Sequence, residues 1–242
     1  VLSTEGSKNS PIAIAETILK NLRPEHEIFI VEMGAYKRGE IARMARMVQP
    51  QIGIITAINT QHQDLFGTIE TTMKAKYELI QGLAGNKIAI FNRDNTGTRQ
   101  MIGWAIKEGK QVWEYSMKSI RQKTYKTVKY LLSASNIEAD LYGISFRVSI
   151  DNKKGKAMAP IVGEHQILNI LASIAGALAC GMTFPDAIVA VDKIKPVPKV
   201  MDVQKGINGS IFINDTYNNN PDASRAALSV LNKTNGKKYL VF

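Results

Sequence analysis

The run Ile28-Phe29-Ile30-Val31, followed at once by Glu32-Met33-Gly34-Ala35, narrows what this chain can become. Four apolar residues in succession, with no polar alternation, read as a strand covered on both faces, the habit of parallel sheets. Glu32 then sits at the C-terminal strand end, where open α/β sheets bind ligands. A second apolar run, Ile52-Gly53-Ile54-Ile55-Thr56-Ala57-Ile58, delivers Asn59, Thr60, Gln61 and His62 to a loop before Phe66-Gly67. Two neighbouring strands are expected to aim an acid and a histidine at one rim, which is how a metal or phosphate site is built. Two further apolar runs end in polar groups, at Asn92-Arg93-Asp94-Asn95 and at Asn214-Asp215-Thr216-Tyr217-Asn218-Asn219-Asn220-Pro221.

Between these strand ends the pattern alternates. The spacing predicts helices over 11–22, 39–48, 68–83, 98–108, 163–179, 185–194 and 222–231. It predicts strands at 28–31, 52–58, 87–91, 111–115, 201–204 and 211–215. From 126 to 159 the period is two, with Ile144, Phe146, Val148 and Ile150 alternating with polar residues. The expected fold is α/β: a Rossmann-like, mostly parallel sheet with helices on both faces and an appended antiparallel hairpin region. Pro196-Val197-Pro198 is a stiff connector. It divides a domain over 1–196 from the start of a second α/β domain over 197–242. Val1-Leu2 resembles the tail of a strand and Tyr239-Leu240-Val241-Phe242 an unfinished one, so a fragment of a longer protein is expected.

Composition excludes some classes. No run of about 18 apolar residues exists, so no membrane span is expected, and the N-terminus lacks the pattern of a signal peptide. The single cysteine, Cys180, allows no internal disulfide, which fits a reducing cytoplasm. Its position in an apolar helical run makes it a small core residue by expectation. The net charge is +10, from 31 basic and 21 acidic residues. Its densest cluster, from Lys118 to Lys129, lacks the aromatic platform of RNA-binding sheets. That cluster reads as solvated surface or as a field that attracts an anionic substrate. Neither a nucleic acid nor a membrane is expected as partner, and the chain is expected to be a monomer.

Two helical positions add chemistry. Lys76 shares a stripe with Met73, Ile80 and Leu83; it either snorkels to water or sits desolvated with a lowered pKa, open to modification. His165 and Asn169 are four apart on one helix face just after Gly163-Glu164. They are either a surface pair or the wall of a phosphate or nucleotide site at a helix N-terminus.

Taken in order, these motifs resemble the Mur ligases over nearly the whole chain. They are Glu32-Met33-Gly34-Ala35, the loop from Gln61 to Gly67, Ala75-Lys76, Asn92-x-Asp94, Gly163-Glu164-His165-x-x-x-Asn169, Pro196-Val197-Pro198 and Asp215-x-Tyr217-Asn218-x-Asn220-Pro221. The resemblance implies an ATP-dependent ligase that activates a carboxylate as an acyl phosphate, from which an amine displaces phosphate to form an amide. The motif set is most like members that add D-Ala-D-Ala to a UDP-muramoyl-tripeptide in cytoplasmic peptidoglycan precursor synthesis. It implies Mg2+ at Glu32, His62 and Lys76, with Lys76 carbamylated as in many members. It implies nucleotide contacts from Asn92, His165, Asn169, Asp215, Tyr217 and Asn218. Another amide ligase, such as a folylpolyglutamate synthase relative, is the same-fold alternative; a non-catalytic phosphate- or nucleic-acid-binding module is the alternative of a different class. The chain departs from the family in three places. It holds no G-x-x-x-x-G-K-[ST] phosphate loop, which in the family precedes the Val1 position, so these residues alone are expected to be inactive. Lys199-Val200 stand where the family usually has Gly-Arg, and Gln166 where it has Asn.

Overall fold

The computed structural model describes residues 1–59, 67–118, 120, 122–217 and 220–241. They form two compact units: Val1–Glu114 with Lys123–Tyr130, and Tyr115–Gln122 with Leu131–Phe242. Pro196 lies inside the second unit.

In the first unit the order is β1 (Leu2–Ser3), α1 (Pro11–Asn21), β2 (Phe29–Ile30), α2 (Glu40–Val48), β3 (Ile52–Ile55), α3 (Ile69–Gln81), β4 (Ile88–Asn92), α4 (Thr96–Lys107) and β5 (Gln111–Ser116), whose last two residues pass to the second unit. Helix starts follow from capping side chains. The Thr68 hydroxyl accepts the N–H of Thr71 at 3.1 Å, and Asn95 Oδ1 accepts that of Thr98 at 3.1 Å. Strands β3 and β4 pair in parallel, Gly53 opposite Ala89. The N–H of Gln111 donates to the Lys87 carbonyl, bringing the start of β5 beside the start of β4. This is the crossover topology that the alternating pattern predicts. The core packs Ile55, Phe91 and Val112 from the strands against Met73, Tyr77, Ile80, Met101 and Ile102 from α3 and α4.

The strand before Glu32 departs from expectation. Among the described residues it is two residues long and pairs with β1 alone, in parallel, in a two-stranded sheet separate from β3. Ile30 is 58% exposed, so this strand is not covered on both faces. The apolar run is spent differently: Val31 and Met33 leave the strand and pack on a cluster of Ile14, Ile41 and Met44 from α1 and α2.

The second unit holds β6 (Tyr130–Ala139), β7 (Ile144–Ile150), β8 (Lys153–Ala159), α5 (Gln166–Ala179), α6 (Phe184–Val191), β9 (Asp202–Lys205), β10 (Ile211–Asn214) and α7 (Pro221–Lys233); the first residue of β6 belongs to the first unit. Strands β6, β7 and β8 form the antiparallel region read from the period of two, with Val148 opposite Ala134 and Gly155. Ile144, Phe146, Val148 and Ile150 are all buried. Cys180 is the C-cap of α5 and is exposed, not a core residue. The buried side of α5 ends at Ala175, and its last turn is only half-covered. Among the described residues, no helix is long and apolar enough to cross a membrane.

Candidate functional site

In the first unit, Glu32 is exposed just past β2, and the backbone around it is held by side chains from the β1–α1 loop. Its N–H donates to Thr4 Oγ1 at 3.1 Å. Asn9 Nδ2 donates to Glu32 Oε1 at 3.0 Å, and the Asn9 carbonyl accepts the N–H of Gly34 at 2.9 Å. Asn9 thus fixes both the carboxylate and the glycine that follows. Sequence reasoning missed it, because a loop asparagine carries no periodicity; its one signal is its place before the Ser10-Pro11 helix start.

Lys76 sits half-buried on α3 between Met73 and Ile80, which are 4% and 0% exposed. Burial pushes its ammonium below the usual lysine range, and the Glu32 carboxylate pulls the other way. The structure therefore brings Glu32 and Lys76 close enough for their charges to interact. His62, the third expected member, lies outside the described residues. Among the described residues no cluster of three His, Cys, Asp or Glu could hold a metal ion. Glu32 offers one hard oxygen donor of the kind Mg2+ prefers. An ammonium at Lys76 would repel that cation, whereas a carbamate there would add a second oxygen donor. The pair fits Mg2+ only with Lys76 in its acidic, modified form.

Asn92 ends β4 and is 4% exposed. Its Nδ2 donates to the Thr56 carbonyl at 2.9 Å, and its Oδ1 accepts the Asp94 N–H at 2.9 Å. Asn95, the last residue of the polar quartet Asn92-Arg93-Asp94-Asn95, does more. It clamps Ile58 on both sides, accepting its N–H at 3.2 Å and donating to its carbonyl at 2.8 Å, while capping α4. It holds the chain three residues past the end of β3. A second missed residue is Glu114, a fully buried carboxylate. It accepts the Thr124 N–H at 2.6 Å and the Thr124 hydroxyl, with Arg93 Nη1 at 3.8 Å. Its sequence signal is an acid inside the apolar run Val112-Trp113-Glu114-Tyr115.

In the second unit, His165 closes the turn before α5. Gly163 has φ +103°, and a Cβ there would lie 2.4 Å from the His165 ring, so the imidazole lies on bare backbone. Burial pushes this histidine below its usual value, and the Asp215 carboxylate pulls it up. His165 and Asp215 are thus brought together. Asp215 also accepts the Met201 N–H at 3.1 Å, and the Tyr217 N–H donates to the Lys199 carbonyl at 3.0 Å; Tyr217 is 57% exposed. Glu164 pairs with Lys233 of α7. Asn169 Nδ2 donates to Gln166 Oε1 at 2.9 Å. Both line a cavity of about 970 Å³, with Ile170, Ser173, Val197 and Met201 among its walls, large enough for a nucleoside-sized molecule. Asn218 lies outside the described residues.

The comparisons with known proteins follow the same lines. The Mur ligase middle domain matches residues 1–177. The UDP-N-acetylmuramoyl-tripeptide--D-alanyl-D-alanine ligase of Escherichia coli (strain K12) is 28% identical over 242 residues, covering 99% of this chain and 51% of that protein. The crystal structure of MurF from Acinetobacter baumannii superposes with a TM-score of 0.85 at 27% identity, over 97% of this chain and 49% of that one. The MurF ligase of Thermotoga maritima in complex with ADP superposes with a TM-score of 0.81 over 98% of this chain and 51% of that one; at 22% identity it speaks for the fold alone. The chain spans about half the length of the relatives it matches. With this α/β fold and a middle-domain match over most of its residues, the chain belongs to the Mur ligase family.

Proposed function

We propose that these residues are the nucleotide-side portion of an ATP-dependent, cytoplasmic ligase that joins D-Ala-D-Ala to a UDP-muramoyl-tripeptide. Residues 1–196 would be its central domain and 197–242 the start of its C-terminal domain, in a monomeric enzyme. The observation that carries the reading is Glu32 beside a desolvated Lys76, in a chain 28% identical to a ligase of that name. Bound Mg2+ would supply charge neutralisation for phosphoryl transfer.

The chain's own residues prepare for that. Asn9 and Thr4 fix the Glu32 carboxylate and its backbone. Burial favours the neutral amine of Lys76, the form that can add carbon dioxide, lose a proton and become a carbamate. Glu32, His62 and carbamylated Lys76 would then present oxygen and imidazole donors together. Asn92 and Asn95 fix the chain from Thr56 to Ile58, just past the end of β3. His165, Asn169, Asp215, Tyr217 and Asn218 would take the nucleotide, His165 as a neutral imidazole.

Phosphate release by the full-length protein that carries this chain tests the reading. Release should require ATP, the UDP-muramoyl-tripeptide and D-Ala-D-Ala together. Lys76→Ala should lower it by about 100-fold or more, close to 2.7 kcal/mol of barrier. Release that ignores the dipeptide, or near-normal turnover by Lys76→Ala, would overturn it.

A further inference from the structure

We infer that Glu78 is the positioning residue that sets the spacing between Glu32 and Lys76, a role that rests on the ligase function proposed above. Helix α2 has no cap of its own, because its N-cap is Gly39, with φ +89° and no side chain. Its orphan N–H groups are taken instead by Glu78 of α3. Gly39 donates to Oε1 at 2.8 Å and Oε2 at 3.0 Å, and Ala42 donates to Oε2 at 3.0 Å. A carboxylate placed there accepts charge-assisted bonds and matches the positive end of the helix dipole. Glu40 closes the preceding turn, its Oε2 accepting Tyr36 N–H at 2.8 Å and Lys37 N–H at 3.3 Å. The segment that opens with Glu32 therefore ends on two carboxylates, one of which belongs to the helix that carries Lys76.

Packing gives the contact its direction. One turn beyond Glu78, a Cβ at Gly82 would come within 2.6 Å of Ala45 Cβ, so α2 and α3 touch closely there. Gly82 meets Ala45, and Glu78 meets Ala42 and Gly39; the contacts advance together, so the helices run the same way. A step back along α3 leads to Lys76, and a step back from the start of α2 leads to the segment 32–38. Leu79 fills the joint by packing on the Ile41–Met44 cluster. Asn9 holds Glu32 from one side, and Glu78 ties the far end of the same segment to α3. Loss of the second tie frees the segment relative to Lys76 without touching either group, and small misplacements of a catalytic constellation are costly.

Two measurements decide it. The first is kinetic, on the full-length protein, with Thr183→Ala as a control that removes the cap of α6. Glu78→Ala should lower kcat about tenfold and raise the half-saturating Mg2+ concentration several-fold, leaving KM for D-Ala-D-Ala unchanged. Glu78→Gln, whose amide oxygen still accepts, should fall between; it serves also if the alanine variant folds poorly. The second is hydrogen exchange on the 242-residue chain, where Glu78→Ala and Glu78→Gln should speed exchange at the amides of 34–39. A lower melting temperature with unchanged kcat, Mg2+ response and local exchange, as for Thr183→Ala, overturns the inference. A wild-type protein without dipeptide-dependent phosphate release sinks the ligase reading instead, and the exchange result still decides whether Glu78 positions the Glu32 segment.

Discussion

A histidine facing a carboxylate ordinarily gains proton affinity, but His165 goes the other way because burial outweighs the pull of Asp215. Its folded pKa lies below the unfolded value of about 6.5, so the unfolded chain binds the proton more readily. The stabilising contribution of the neutral ring is complete above that unfolded value and is lost as pH falls through the folded one. Denaturation midpoints of wild type and His165→Gln, compared between about pH 5 and pH 8, should show the wild-type advantage shrinking toward acid. A difference that grows toward acid would reverse the assignment. At this scale the sequence was partly legible. Glu32 and Lys76 announced themselves by a strand end and by a polar break in an apolar stripe. Asn9 and Glu114 announced less: a place before a helix start and an acid inside an apolar run do not name their partners, Glu32 in one case and Arg93 and Thr124 in the other. No local pattern reports such a meeting.

The elements were more legible than their neighbours. Helices α1, α2, α3 and α7 and strands β4, β7 and β10 fall where periodicity puts them, since the period records which face is buried; β3 starts where expected but stops at Ile55, three residues short of its apolar run. Pairing is another matter: the apolar run before Glu32 shows that a strand forms, not that β1 is its partner. Helix α4 starts at Thr96, earlier than its apolar spacing suggests, because Asn95 caps it. Asn95→Ala removes that cap and both bonds to Ile58. A cap is worth about 1 kcal/mol and each bond about 1 kcal/mol net, so a loss of roughly 2–3 kcal/mol is expected from urea denaturation. A change below about 0.5 kcal/mol, the range of ordinary surface substitutions, would show that the clamp is idle. Strand β8, last in its sheet's strand order, carries exposed Lys153, Lys154 and Lys156. Such lysines keep an edge from pairing with another chain, which accounts for part of the +10 charge without a polyanionic partner.

At the scale of the molecule, the division into units was the least legible feature, because each unit is built from two separate stretches of the chain. Residues 115–122 belong to the second unit, and 123–130 return to the first. A fragment ending at Glu114 would leave the carboxylate of that residue without Thr124, whereas one ending at Tyr130 keeps the pair. Fragment 1–130 should therefore unfold cooperatively at a higher urea concentration than fragment 1–114; equal midpoints would show that the returning segment adds nothing. The same excursion sets an order of events during synthesis. The first unit stays unfinished on the ribosome until Tyr130 has cleared the exit tunnel. By then residues 115–122, which belong to the second unit, have already emerged. Nascent chains arrested before that point should be more open to proteases across the first unit than their length implies.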